Sequence, residues 1–441
     1  MSDQHDPAQH DGDEGAPASA PGLSRRNLIA GGAGAAGIGV AAALGGGYAW
    51  GHSGAPSAAS VMAEMGGDAV DLSVSYPFYT GFHQAGVETP PQRHCVYMTF
   101  DIVPGTTQQE LKVLFAQWSA GIAQMMAGLP IGSVQPSQGD TPPVDTGEAY
   151  GLAPSSLTVT LGLGPGVFDE RFGLAAKRPK LLADLPQLPS DALVPATTGG
   201  DLSLQACADD PQVAYHAIRD LARVGRELGA VSTRWTVMGF GRASAGQGQQ
   251  TPRNLMGFKD GTRNIKEPSE FEQFVWLKDD QPWMNGGTYQ VARKIKQHIE
   301  IWDADRVSDQ EHVFGRAKAV GNPLTGTHEF DTPKFHEMRD GQPVISPQAH
   351  IALAAHENNG GIKILRRSFN YTDGIDQEIG QLDAGLLFIA YMNDPAHFVQ
   401  LQTKLGSSDL LNEYITHIGS AIFAVPPAPR QGHYLAEELF A

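Results

Sequence analysis

The sequence predicts an α+β fold made of two similar halves that meet near residue 250. Three observations lead there. β-like and helical segments alternate along the chain, the same order occurs twice, and a Gly- and Gln-rich stretch at residues 244–252 separates the two runs. With 441 residues, 41% of them hydrophobic and 8% aromatic, the chain can bury a sizeable core.

In the first half, residues 94–102 read as extended, 108–126 as an amphipathic helix and 156–163 as a second β-like run. Residues 202–208 read as a strand, 211–228 as a helix starting after Asp209 and Asp210, and 233–240 as another strand. The second half repeats the rhythm. Residues 287–293 are extended, a helix runs to about Trp302, 363–369 and 386–391 are extended, a helix lies near 395–405 and a last strand spans 419–425. Two such halves point to a duplicated ferredoxin-like fold, a barrel-like α+β sandwich in one chain. Residues 134–147 and 185–200, rich in Pro, Gly and Asp, read as long loops. The division expected is a leader and signal over 1–58, an N-terminal half over 70–250 and a C-terminal half over 251–441.

A formal charge of −17 and a pI near 5.2 exclude a nucleic-acid binder, which needs a basic face to neutralise phosphates. Cys95 and Cys207 are the only cysteines. Two are too few for a disulfide framework or a Cys-based zinc or iron–sulfur site, though one bridge between them stays open. Met98, Met125 and Met126 carry thioethers that suit Cu(I), but on an amphipathic helix methionines more often fill core gaps.

Residues 1–22 are polar and proline-rich, a composition that cannot pack a core. Leu23-Ser24-Arg25-Arg26-Asn27-Leu28-Ile29 then leads into an uncharged Ala/Gly/Leu/Val stretch ending at Trp50, and small residues follow over 53–60. Charged, apolar and small-residue zones in that order make a signal peptide. The paired arginines and mild hydrophobicity favour the twin-arginine (Tat) machinery, with an extracellular or envelope location. The stretch is also long enough for a lone N-terminal membrane helix. Tat export carries folded proteins, so a cofactor inserted beforehand is expected.

Gly257-Phe258-Lys259-Asp260-Gly261-Thr262-Arg263-Asn264 places one carboxylate between glycines, where backbone can approach a ligand closely. Alone it reads as a turn aspartate. Downstream come Pro282-Trp283-Met284-Asn285-Gly286-Gly287-Thr288-Tyr289, Glu300-Ile301-Trp302-Asp303 and Gly315-Arg316-Ala317-Lys318. Ala349-His350-Ile351-Ala352-Leu353-Ala354, Ile364-Leu365-Arg366-Arg367-Ser368-Phe369-Asn370-Tyr371 and Gly385-Leu386-Leu387-Phe388-Ile389-Ala390-Tyr391 follow. In order and spacing these blocks resemble the dye-decolourising (DyP-type) haem peroxidases over most of residues 90–430, nearest their Tat-exported branch.

The resemblance implies haem b, one per chain and non-covalent, in the C-terminal half; Cys-x-x-Cys-His is absent. It makes His350 the axial iron ligand, Asp260 the acid–base residue and Arg366 the arginine beside it. Gly261, Thr262, Arg263, Ala355, His356, Glu357, Arg366 and Phe388 are expected to line the haem. A carboxylate on the second nitrogen of an axial histidine stabilises high-valent iron, and Glu413 is the candidate for it. The activity implied is reduction of hydrogen peroxide, with oxidation of aromatic dyes or other electron donors through a ferryl intermediate. A carboxylate acid–base group, ordinarily of pKa about 3.9, implies an acidic optimum.

Ala352 stands where relatives carry arginine, and Ala355-His356-Glu357 replaces a more usual Asn-Pro-Arg, which touches haem-propionate contacts and access to the haem edge. Tyr371, Tyr391, Tyr414, Trp276, Trp283 and Trp302 are either electron relays or core. A rival from another class is a haem-handling protein, deferrochelatase-like in releasing iron or delivering haem from the same pocket. Physiological reductant and oligomeric state are open at this stage.

Overall fold

The computed structural model describes residues 70–278 and 281–441; the leader and signal expected over 1–58 lie outside the described residues. The first half contains β1 (His94–Ile102), α1 (Gln108–Met126), β2 (Thr158–Leu163), β3 (Leu202–Ala208), α2 (Pro211–Glu227) and β4 (Val231–Arg242). Its antiparallel strands lie in the order β2-β3-β1-β4. After α3 (Pro268–Phe274), the second half contains β5 (Thr288–Gln297), α4 (Ile299–Ala304), α5 (Val307–Phe314) and α6 (His350–Ala354). It continues with β6 (Phe369–Ile375), β7 (Leu382–Met392), α7 (Pro395–Ser408) and β8 (Ile415–Val425). Its order, β8-β5-β7-β6, is the same arrangement again, so the expected ferredoxin-like duplication is present.

The two sheets join where β4 meets β6 over three residue pairs and where β8 meets β2 at the single pair Ala424 and Leu163. Eight strands thus close into a barrel, and Leu365–Arg366 adds to the side of β7. Beyond the one β2 pair, a loop serves β8: Ala192, Val194 and Gly199 donate backbone N–H groups to the carbonyls of His417, Ile418 and Ser420. This loop belongs to the stretch read as irregular from its composition.

Local chemistry sets the elements. Thr107 caps α1 in a capping box with Glu110, and Asp210 caps α2 ahead of Pro211 at its first position. Every residue of β3 is buried because the strand has two covered faces. Leu202, Leu204 and Ala206 join the core under α1 and α2, whereas Cys207 faces the second core with Tyr97, Phe369 and Tyr391. In that second layer Tyr97 Oη donates to Gln290 at 2.9 Å, Gln290 Nε2 to Tyr391 Oη at 2.8 Å, and Tyr391 Oη to Gln205 at 2.9 Å. Buried polar atoms satisfied in a chain fix one packing arrangement. Cys95 and Cys207 face each other in the β1–β3 ladder, both buried and both free. Met125 and Met126 are core residues, which removes the Cu(I) reading of that helix.

Three expectations shift. Helix was expected toward Trp302, but β5 runs to Gln297 and only Ile299–Ala304 is helical. The lysines that break its strand pattern, Lys294 and Lys296, meet Asp373 and Asp376. The strand expected over 363–369 is interrupted, with only Leu365–Arg366 extended before β6 begins at Phe369. The connector at 244–252 is not all surface: Ser244 and Ala245 are fully buried. No helix among the described residues is long and apolar enough to cross a membrane.

A buried ion pair, Arg293 with Asp191, holds the same loop to the barrel, and His417 lies beside it, 3% exposed. Burial, then the nearby Arg293 charge, holds the His417 pKa down at about 4. In the unfolded chain the imidazole titrates near 6.5, so as pH falls from 6.5 toward 4 the unfolded state takes up a proton that the folded state refuses. Stability is full above pH 6.5 and drops by roughly 2–3 kcal/mol by pH 4.5. Urea unfolding at pH 7 and 4.5 measures this drop; in His417→Gln it shrinks, and an equal drop in the variant would contradict the assignment.

Candidate active site

The loop after β4 folds on Asn254. Its Oδ1 accepts the N–H groups of Met256 and Phe258 at 3.1 and 3.3 Å, and its Nδ2 donates to Asp260 Oδ2 at 3.2 Å. Arg366 donates to the other oxygen, Oδ1. Gly261 has φ +98°, and a Cβ there would lie 2.9 Å from the backbone nitrogen of Ala245, so glycine is required for the loop to sit this close. Asn264 completes the clamp: its Oδ1 accepts from Arg366 N at 2.9 Å and its Nδ2 donates to Arg366 O at 2.8 Å. A carboxylate and a guanidinium from sequence-distant segments are thereby fixed as one pair. Both stay partly open, with 17% of the Asp260 side chain and 28% of the Arg366 side chain exposed.

His350 is the first residue of α6. Its Nδ1 donates to Asp409 Oδ2 at 2.7 Å, and Asp409 Oδ1 caps the turn Leu410–Glu413 by accepting from Leu411 N at 2.9 Å. This corrects the expectation at Glu413, which ends that turn on the exposed side; the aspartate that opens the turn is the one whose carboxylate faces inward, at 3% exposure. The ring meets Phe314 edge-on, centroids 5.9 Å apart, within a buried group formed with Phe258, Trp302 and Tyr414. Burial opposes the charged imidazole, yet the Asp409 carboxylate outweighs it and raises the His350 pKa. Asp260 and Arg366 also act on this ring, the first raising and the second lowering the same pKa.

One nitrogen of His350 is thus tied to a carboxylate, Nε2 is the nitrogen left for a ligand, and a third of the side chain is exposed. A paired acid and arginine share its electrostatic surroundings. That donor set, an imidazole with a carboxylate behind it, fits the haem implied by the resemblance.

The remaining expected residues divide. Arg263 donates to both oxygens of Glu357, at 3.0 and 2.6 Å, which ties the Asp260 loop to the turn after α6. Thr262 donates to Glu329 at 3.1 Å, and Lys259 pairs with the same carboxylate at 2.6 Å. His356 lies 3.3 Å from Glu357, and Ala355 closes α6. Phe388 is half-buried on β7 and packs on Phe398 of α7 at 6.1 Å. Arg316, nearly buried and donating to the carbonyls of Gly321 and Glu329, has its pKa pushed down to about 10, by burial first and then by Arg263. Tyr371, Tyr391, Tyr414, Trp276, Trp283 and Trp302 are all buried. A cavity of about 340 Å³ adjoins Arg366, lined among others by Tyr76, His83, Glu88, Lys266 and Arg367. Sequence reasoning missed Asn254, Asn264 and Asp409; Asn264 closes the quoted glycine-flanked block and was the one within reach.

Two family models cover nearly all of this region: Dyp-type peroxidase, N-terminal, over residues 84–241, and Dyp-type peroxidase, C-terminal, over 251–430. The deferrochelatase of Escherichia coli K12 is 37% identical over 378 residues, 82% of this chain and 86% of the relative. Among solved structures, the oxyferrous complex of DtpA from Streptomyces lividans matches with TM-score 0.77 at 37% identity, covering 84% of this chain and 98% of that one. A DyP-type peroxidase from Streptomyces coelicolor matches with TM-score 0.76 at 37% identity, covering 83% and 97%.

Proposed function

The chain belongs to the Dyp-type peroxidase family, and on that premise we propose that it binds one haem b without a covalent link, reduces hydrogen peroxide and oxidises aromatic dyes or other electron donors. The observation that carries this reading is His350, anchored by Asp409 and open at Nε2, in the electrostatic reach of the joined pair Asp260 and Arg366.

His350 would hold the haem, which would supply the redox chemistry between peroxide and electron donors. The protein's part is proton handling and orientation. Asp260 takes a proton from one oxygen of peroxide and delivers it to the other, so that water can depart. Arg366 stabilises negative charge growing on the departing oxygen, and its bond to Asp260 holds the carboxylate in place. Asn254 and Asn264 keep both groups from turning away. Asp409 fixes the tautomer and orientation of His350.

The cavity beside Arg366 is at the low end of ligand-pocket volumes, which are about 300–1,000 Å³, and suits a small reductant. A bulky dye would have to give up electrons at the surface. Export by the Tat machinery is part of the same proposal and rests on Ser24-Arg25-Arg26-Asn27-Leu28 with the apolar stretch after it.

The 37% identity to a deferrochelatase favours a second reading, release of iron from haem. Stopped-flow absorption with hydrogen peroxide, run beside product analysis without it, separates the two. Peroxidase function is expected to give rapid spectral change and donor-dependent turnover, with the porphyrin still holding its iron. Metal-free protoporphyrin appearing without peroxide, together with slow peroxide reaction, would overturn the first reading in favour of the second.

A further inference from the structure

The N-terminal half contains a buried group of side chains that the peroxide chemistry does not use. His216 and Asp220 lie one turn apart on α2, and Asp145 reaches them from the loop after α1. His216 is 4% exposed, Asp145 1% and Asp220 0%. Each offers one ligand atom, and the three atoms lie within 4.8 Å of one another.

The two separations from His216 match a coordination shell better than they match hydrogen bonds. His216 Nε2 is 3.5 Å from Asp145 Oδ2 and 3.6 Å from Asp220 Oδ2, beyond the 2.7–3.2 Å range of a good N–H···O bond. Tetrahedral ligands about 2.0–2.2 Å from a cation stand roughly 3.3–3.6 Å from each other.

The other ring nitrogen faces Glu148 and Thr146 instead. His216 Nδ1 lies 3.3 Å from Glu148 Oε2 and 3.4 Å from Thr146 Oγ1. A proton on Nδ1, on the side of Thr146 and Glu148, would leave the lone pair on Nε2, buried and facing two carboxylate oxygens. Such an arrangement is repulsive until a cation fills it, and a carboxylate behind a ligating histidine is the usual support for one.

The surroundings hold the donors in place. Asp145 accepts the N–H groups of Ile131 at 2.9 Å and Gly147 at 2.8 Å. Asp220 receives a long, shared bond from Thr146 N, at 3.3 and 3.4 Å. The charged neighbours are Arg223, 3.6 Å from the outer oxygen of Asp220, and Arg219, 3.2 Å from Glu148.

We propose that Asp145, His216 and Asp220 form a binding site for a divalent first-row transition cation of the zinc or manganese class, with Glu148 orienting His216. One imidazole with carboxylate oxygens selects these ions over magnesium or calcium, which prefer an all-oxygen shell. Two aspartates neutralise the ion, and a water can complete the shell.

The test uses the haem-loaded full chain, stripped with chelator and dialysed against zinc chloride or manganese chloride. Elemental analysis should then give about one zinc or manganese per haem iron, and zinc-edge X-ray absorption should report nitrogen and oxygen ligands at about 2.0–2.2 Å with one imidazole. His216→Gln and Asp220→Asn should each weaken metal binding at least tenfold, with haem content and peroxide turnover unchanged. Wild-type protein that retains neither metal at roughly 100 µM free ion, far above the dissociation constants of structural zinc sites, would overturn the site. Retention unaffected by both substitutions would do the same. If the variants do not fold, an absorption spectrum of the zinc-loaded wild type without an imidazole signature overturns it.

Discussion

Asp260→Asn is expected to react with hydrogen peroxide about 10²- to 10⁴-fold more slowly than the parent chain, the usual contribution of a positioned acid–base group. The substitution is nearly isosteric. Its amide oxygen can still accept from Arg366 or Asn254, the two groups that grip the carboxylate, so the loop on Gly261 need not move. What is lost is the ability to carry a proton between two oxygens. Arg366→Leu should slow the same step by about 10²–10³, the cost of removing one preorganised charge donor. Because the two side chains are bonded to each other, the double variant should fall well short of the product of the single effects. Stopped-flow rate constants for the single and double variants measure this directly. An Asp260→Asn rate within threefold of the parent would mean that proton transfer here does not depend on this residue.

His350→Ala is expected to leave the protein folded but largely without haem after purification. The side chain contributes one open nitrogen to the site, and α6 is short, with its packing carried by neighbours such as Ala352 and Leu353. Asp409→Asn should have the smaller and more informative effect. Removing a hydrogen-bonding partner of an axial histidine costs about 10–100-fold in affinity or activity, and the asparagine can still cap the following turn. The pair is read by haem-to-protein absorbance ratio and by haem transfer to an acceptor protein. Normal haem content in His350→Ala would remove the histidine from its proposed role.

The fold was legible because the strands alternate with capped helices twice over. Thr107 with Glu110 and Asp210 with Pro211 are local signals that act over three or four residues. Lys294 and Lys296 hid the end of β5 because their carboxylate partners, Asp373 and Asp376, are far away in sequence. The site follows the same rule. Asp260, His350 and Arg366 stand in blocks of distinctive letters, whereas Asp409 was overlooked in favour of Glu413. Which of two carboxylates four residues apart faces inward is decided by the turn between them, and composition does not carry that information. Asn254 and Asn264 act through backbone groups of other segments, which no spacing encodes. His417 erodes stability on the acidic side, so the half-life of the protein is expected to shorten below pH 6.

The single residue pair between β2 and β8 would leave most of β8 as a bare edge, with carbonyls pointing outward and ready to template another chain. The loop whose N–H groups serve His417, Ile418 and Ser420 covers that edge. An apparently irregular segment therefore does for this edge what a neighbouring strand would do, held in place by the Asp191 anchor and by the Thr197 hydroxyl on the Ile418 carbonyl.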